Sequence, residues 1–132
     1  MHVVIGDREE EVFPTPEWVR RTLHEVDASI EGSRFLAVLR GGEDQLNVLR
    51  EPDGFALEWY LGDPTGPHVA YRKGEGADHQ PRRRRSFLES IFRGPETALG
   101  SRFSLEEIAA VLDAYVGGAA DFPDLRWERL YR

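Results

Sequence analysis

The 132-residue chain contains no cysteine and a single methionine. Without cysteine it has no disulfides, no thiolate metal ligands and no cysteine nucleophile, which fits a reducing compartment. Long apolar runs are missing too, and none approaches the roughly 20 residues needed to cross a bilayer. The opening Met1-His2-Val3-Val4-Ile5-Gly6-Asp7 has no basic region followed by an apolar segment, so no signal peptide is read there. These absences predict a cytoplasmic protein with no membrane partner.

Signatures of chemistry are equally scarce. His2, His24, His68 and His79 stand at no metal-ligand spacing from one another, and neither His-x-His nor His-Glu-x-x-His occurs. None of Ser29, Ser33, Ser86, Ser90, Ser101 and Ser104 lies in a Gly-x-Ser-x-Gly elbow, and Ser86 and Ser104 read as helix caps. Gly74-Glu75-Gly76 begins like a phosphate loop, but no third glycine or helix start follows and its acid repels phosphate. Acid pairs such as Glu43/Asp44 with Asp53, or Glu58 with Asp63, can be imagined side by side. Glycosidase chemistry would also need a cleft and a raised pKa on one partner, and turns favour acids anyway. No catalytic residue, cofactor or metal site is predicted, and the chain is read as a non-enzyme.

What is present suits a packed core. Hydrophobic residues make up 40% of the chain and aromatics 11%, enough for a globular rather than a disordered chain. The length suits one domain over residues 1–132. Net charge is −7 and unevenly spread: residues 1–71 hold 14 acids against 6 bases, residues 72–93 hold 7 bases against 3 acids, and residues 94–132 hold 7 acids against 4 bases. An acidic body disfavours nucleic acid, whose phosphates it repels, and favours a basic protein partner.

Read along the chain, His2 to Ile5 suggests a short edge strand. Thr15 as N-cap, Pro16 at the first helical position and Glu17 at the positive end of the dipole predict a helix from about Pro16 to Asp27. Val19, Leu23, Val26 and Trp18 form its buried stripe. Residues 30–33 break it. Four strands follow, over residues 34–40, 45–50, 55–61 and 68–72. Turns at Gly41-Gly42-Glu43-Asp44 and Glu51-Pro52-Asp53-Gly54 and a loop from Gly62 to Pro67 separate them, which implies an antiparallel meander. Residues 73–85 read as an exposed loop carrying Arg82-Arg83-Arg84-Arg85. Residues 86–92 read as either a short helix or an edge strand. Ser104 and Glu107 form a capping box for a helix from Leu105 to Val116, stopped by Gly117-Gly118. An irregular tail anchored by Phe122, Leu125 and Trp127 ends the chain. The expected fold is α+β, an antiparallel meander of four to five strands with helices packed on one face and the other face partly open.

Phe103-Ser104-Leu105-Glu106-Glu107, with Leu112, Tyr115, Gly117, Pro123 and Trp127, resembles the end of the first-described immunity protein family of bacterial polymorphic toxin systems. Upstream, Phe35-Leu36-Ala37-Val38, the hairpin through Gly54 and Trp59-Tyr60-Leu61-Gly62-Asp63 are similar to that family's strand meander, so the resemblance runs from Arg34 onward. It implies a small cytosolic protein without catalysis that binds and neutralises a cognate toxin domain. Strand alternation and charge place the candidate partner-binding surface on the open face and its turns, at Glu43, Asp44, Glu51, Asp53, Glu58, Tyr60 and Asp63, with Tyr60 as aromatic anchor. A competing reading is a regulatory or scaffold module whose arginine run at 82–85 grips an anionic partner. Homodimerisation through strand edges or the open face is compatible with either.

Overall fold

Gly6 and Asp7 turn the first strand back on itself. The computed structural model describes residues 1–28, 35–61, 67–74 and 100–129. In it β1 (His2–Ile5) pairs antiparallel with β2 (Arg8–Glu11) from Ile5↔Arg8 to His2↔Glu11. Gly6 takes φ 61° at the first central position of this two-residue turn, where a II′ geometry calls for glycine. Helix α1 (Pro16–Ala28) follows, started by Thr15, whose hydroxyl accepts the Trp18 N–H at 3.0 Å. Strands β3 (Phe35–Leu39), β4 (Gln45–Glu51), β5 (Gly54–Tyr60) and β6 (Pro67–Arg72) form the meander, before helix α2 (Leu105–Val116) and strand β7 (Leu125–Arg129).

The result is α+β, with one seven-stranded antiparallel sheet in the order β2-β1-β3-β4-β5-β6-β7. The expected count of four to five strands is too low. Both additional strands carry charge. Arg8-Glu9-Glu10-Glu11 has no apolar residue, and glutamate is poor in strands, so no hydrophobic alternation marks it. Residues 125–129, expected in an irregular tail, alternate Leu125, Trp127 and Arg129 with Arg126 and Glu128, and pair with β6 from Arg72↔Leu125 to His68↔Arg129. β1 is also not the edge it was expected to be, because β2 covers its outer side. Residues 30–33 and 86–92 lie outside the described residues.

Registers decide which side chains share a face. Val3 and Ile5 of β1, Leu36 and Val38 of β3, Leu46 and Val48 of β4, and Phe55, Leu57 and Trp59 of β5 line one side. All are buried and join one core with Val19, Leu23 and Val26 of α1 and Ile108, Ala109, Leu112 and Tyr115 of α2. Both helices therefore cover the same face. Each large aliphatic side chain fully buried there contributes about 1.5–3 kcal/mol. Arg20 of α1 donates to Asp113 Oδ2 of α2 at 3.0 Å, tying the helices together at their outer side.

Two further devices fasten α2 and the C-terminal strand. β5 and β6 pair only from Glu58↔Val69 to Tyr60↔Pro67. Beyond that point Phe55 exchanges two backbone hydrogen bonds with Phe103, at 2.9 and 2.8 Å, while Ser101 N–H donates to the Ala70 carbonyl at 3.0 Å. The Ser101 hydroxyl accepts the Arg72 N–H at 2.9 Å, so this serine is structural. At the other end of α2, Tyr115, Phe122, Trp59 and Trp127 form an aromatic cluster, with Trp59 5.0 Å from Phe122 and 5.2 Å from Trp127 between ring centres. Among the described residues, no helix is long and apolar enough to cross a membrane.

Candidate partner-binding surface

Alternation along each strand sends a second set of side chains to the face opposite α1 and α2, helix-free among the described residues. One row runs Glu11, His2, Leu39, Gln45, Tyr60, Pro67. The next runs Glu9, Val4, Ala37, Asn47, Glu58, Val69, Glu128. Phe35 and Leu49 pair in the row beyond. This face is not uniformly open, since Ala56, Val69 and Tyr71 are buried on it while Phe35 is exposed. Arg126 covers the Tyr71 ring at 4.8 Å and donates to Glu128 at 2.8 Å.

A polar tract crosses its middle. Gln45 Nε2 donates to Asn47 Oδ1 at 2.7 Å. Asn47 faces Glu58 across the β4–β5 ladder. Burial pushes the Glu58 carboxyl above its ordinary value, and a hydrogen bond with Asn47 offsets only part of that. Tyr60 lies one row away and pairs with Gln45. A partly dehydrated acid and a phenol thus stand on neighbouring rows of the sheet.

The other predicted residues do not gather around this pair. Glu43 is exposed in the β3–β4 turn, beside Asp44. Glu51 is half-buried at the far end of β4, and Asp53 is exposed in the next turn, where it accepts from Arg102 Nε at 2.9 Å. The seven residues of β4 separate the two turns, about 20 Å at the usual strand rise. Asp63, His79, Ser86 and the arginine run at 82–85 lie outside the described residues.

Asp44 is turned inward. Its Oδ1 accepts from Trp59 Nε1 at 2.7 Å and from the Tyr115 hydroxyl at 2.9 Å, and its Oδ2 accepts from Arg40 Nε at 2.8 Å. Arg40 also donates to the Tyr115 carbonyl at 2.9 Å and lies 4.1 Å from the centre of the Tyr115 ring. Burial works against ionising Asp44, but the three hydrogen bonds outweigh it and hold the carboxyl below its ordinary value. Burial and the Asp44 carboxylate push the Tyr115 phenol up, so it stays a donor. From the sequence Asp44 reads as a turn acid of the candidate partner-binding surface, whereas its carboxylate is taken up by three donors within the fold. Its distant donors, Trp59 and Tyr115, have no short-range signature.

The described histidines, His2, His24 and His68, serve no shared metal centre. His2 lies on β1 between two acids of β2, with Nδ1 3.0 Å from Glu11 Oε2 and Nε2 3.3 Å from Glu9 Oε1. Each ring nitrogen addresses a different carboxylate. His24 is exposed on α1, and His68 is half-buried on β6. Among the described residues, no three His, Asp or Glu side chains are placed to hold a metal ion. The acidic edge at Glu9, Glu10 and Glu11 was missed with β2 itself, although Gly6-Asp7 between Ile5 and Arg8 is a hairpin signal.

Compared with known proteins, the chain matches no family model, no curated protein and no solved structure.

Proposed function

We propose that this chain is a non-catalytic immunity protein that binds a basic cognate toxin domain and neutralises it. The observation that carries this reading is the Glu58–Tyr60 pair on the helix-free face. Glu58 is already partly dehydrated, so docking a lysine or arginine against it loses less hydration than docking on a fully solvated acid. The cation also restores the ionised form that burial disfavours. Tyr60 offers a large, stiff contact at small entropic cost, the kind of residue that dominates binding energies. The acidic surplus of the chain steers a basic partner toward it.

The test is co-purification with the protein encoded beside this one, calorimetry on the pair, and rescue of cells that express that neighbour. Tight one-to-one binding with rescue supports the reading. Tyr60→Ala and Glu58→Lys are each expected to weaken binding at least about tenfold, or about 1.4 kcal/mol. If both variants melt normally and bind unchanged, this face is not the interface. If the wild type neither binds nor rescues, the immunity reading is wrong.

A further inference from the structure

Among the described residues strand β2 ends the sheet, so one of its sides faces away from β1 with no described strand beside it. Which backbone groups point outward follows from the hydrogen bonds beside it. Met1 and Val12 exchange bonds in both directions, at 2.8 and 2.9 Å. Hydrogen-bonded pairs alternate in an antiparallel ladder, so Glu10 and Arg8 likewise turn their N–H and C=O toward β1. Glu9 and Glu11 therefore direct theirs outward, and Phe13 follows two residues on.

Phe13 is 94% exposed, the barest of the large apolar side chains among the described residues. The backbone on either side of it is bonded. Val12 before it is bonded to Met1, and Thr15 after it caps α1. Charged residues commonly guard strand edges against unwanted pairing. That alone would account for Glu9 and Glu11, whose side chains are 69% and 72% exposed. A guard does not account for a bare aromatic at the end of the same edge.

We propose that the outer edge of β2, with Phe13 as anchor, accepts a basic extended segment of a protein partner as an added strand. The partner's nature rests on the proposed function above, whereas the place rests on the edge itself. Backbone pairing supplies the attachment and the side chains supply selectivity. A second copy of this chain fits poorly, because two β2 edges would set glutamates against glutamates, and like charges opposed across strands are destabilising. Lysines or arginines at alternate positions of the incoming strand would meet Glu9 and Glu11 instead.

The test uses the full chain and the capped peptide acetyl-Lys-Val-Lys-Val-Lys-amide, with residue-resolved amide hydrogen exchange as readout. Exchange at Glu9 and Glu11 is expected to slow about threefold or more once the peptide exceeds twice its dissociation constant. Glu11→Pro removes one outward N–H and leaves the β1 ladder intact, as edge prolines do, and is expected to abolish the effect. Phe13→Ala, at a side chain too exposed to matter for folding, is expected to reduce it and keeps the test decisive if Glu11→Pro misfolds. No slowing, equal slowing by the glutamate version of the peptide, or equal slowing in Phe13→Ala would overturn the proposal. No neighbouring protein enters this assay, so a toxin that fails to bind while the peptide still protects the edge counts against the immunity reading alone.

Discussion

Arg72 and Glu107 meet in a two-point ion pair, with Nε donating to Oε2 at 2.9 Å and Nη2 to Oε1 at 2.7 Å. The same Oε1 accepts the Ser104 N–H at 2.7 Å, while the Ser104 hydroxyl accepts the Glu107 N–H at 3.1 Å. One carboxylate thus closes the capping box of α2 and joins that helix to β6. Hydrogen bonds from Arg72, working against burial, bring it down to about 2 from an ordinary 4.5.

That depression sets a pH dependence. A carboxyl lowered in the folded state contributes fully above its ordinary value, and the contribution disappears as pH falls from about 4.5 toward about 2. Both side chains are more than one-third exposed, so solvent screening keeps the expected contribution near 1 kcal/mol. Glu107→Gln should lower the unfolding free energy measured in urea at neutral pH by that amount and show a shallower loss of stability below pH 4.5 than the wild type. Parallel pH profiles for the two proteins would contradict this account.

Asp44→Ala removes the acceptor shared by Arg40, Trp59 and Tyr115. Hydrogen bonds to a charged group contribute about 1.5–3 kcal/mol, and donors left buried without a partner add to the cost. The expected loss is about 2–4 kcal/mol in denaturant unfolding, with a change in Trp59 emission. Asp44→Asn should fall between this variant and the wild type, since it keeps an acceptor but not the charge.

Gly100 has φ 99°, and a Cβ there would lie 2.7 Å from the Ala70 carbonyl oxygen. Gly100→Ala therefore combines an unfavourable backbone conformation with a backbone clash, and is expected to cost about 2–3 kcal/mol or to loosen residues 100–103 from β6. Exchange of the Ser101 amide, bonded to Ala70, reports the second outcome directly. Unchanged stability and exchange would show that this crossing is not tight.

The elements readable in the sequence are those whose signals are local. The capping box at Ser104 and Glu107 marks a helix found over the expected residues, and α1 extends one residue beyond its expected end. Pro52-Asp53 places the β4–β5 hairpin, with Glu51 opposite Gly54. β2 escaped because its partner, rather than any apolar pattern of its own, makes it a strand, and β7 because its alternation rests on only two apolar residues, Leu125 and Trp127. Of the candidate surface, Glu58 and Tyr60 are neighbours because alternation puts them on one face. The inward turn of Asp44 depends on Tyr115, 71 residues away in sequence, which no window along the chain can register.

The two outermost strands reach their places by very different routes. β2 needs only the turn at Gly6 and Asp7, and hairpins of this kind close in about 1–10 μs. β7 must bring Leu125 to Arg72 across a long separation in sequence, a closure whose entropy is repaid only by contacts made on arrival. Those contacts are Trp127 against Trp59 and Phe122. One margin of the sheet is thus held by closeness in sequence, and the other by aromatic docking of residues far apart in the chain.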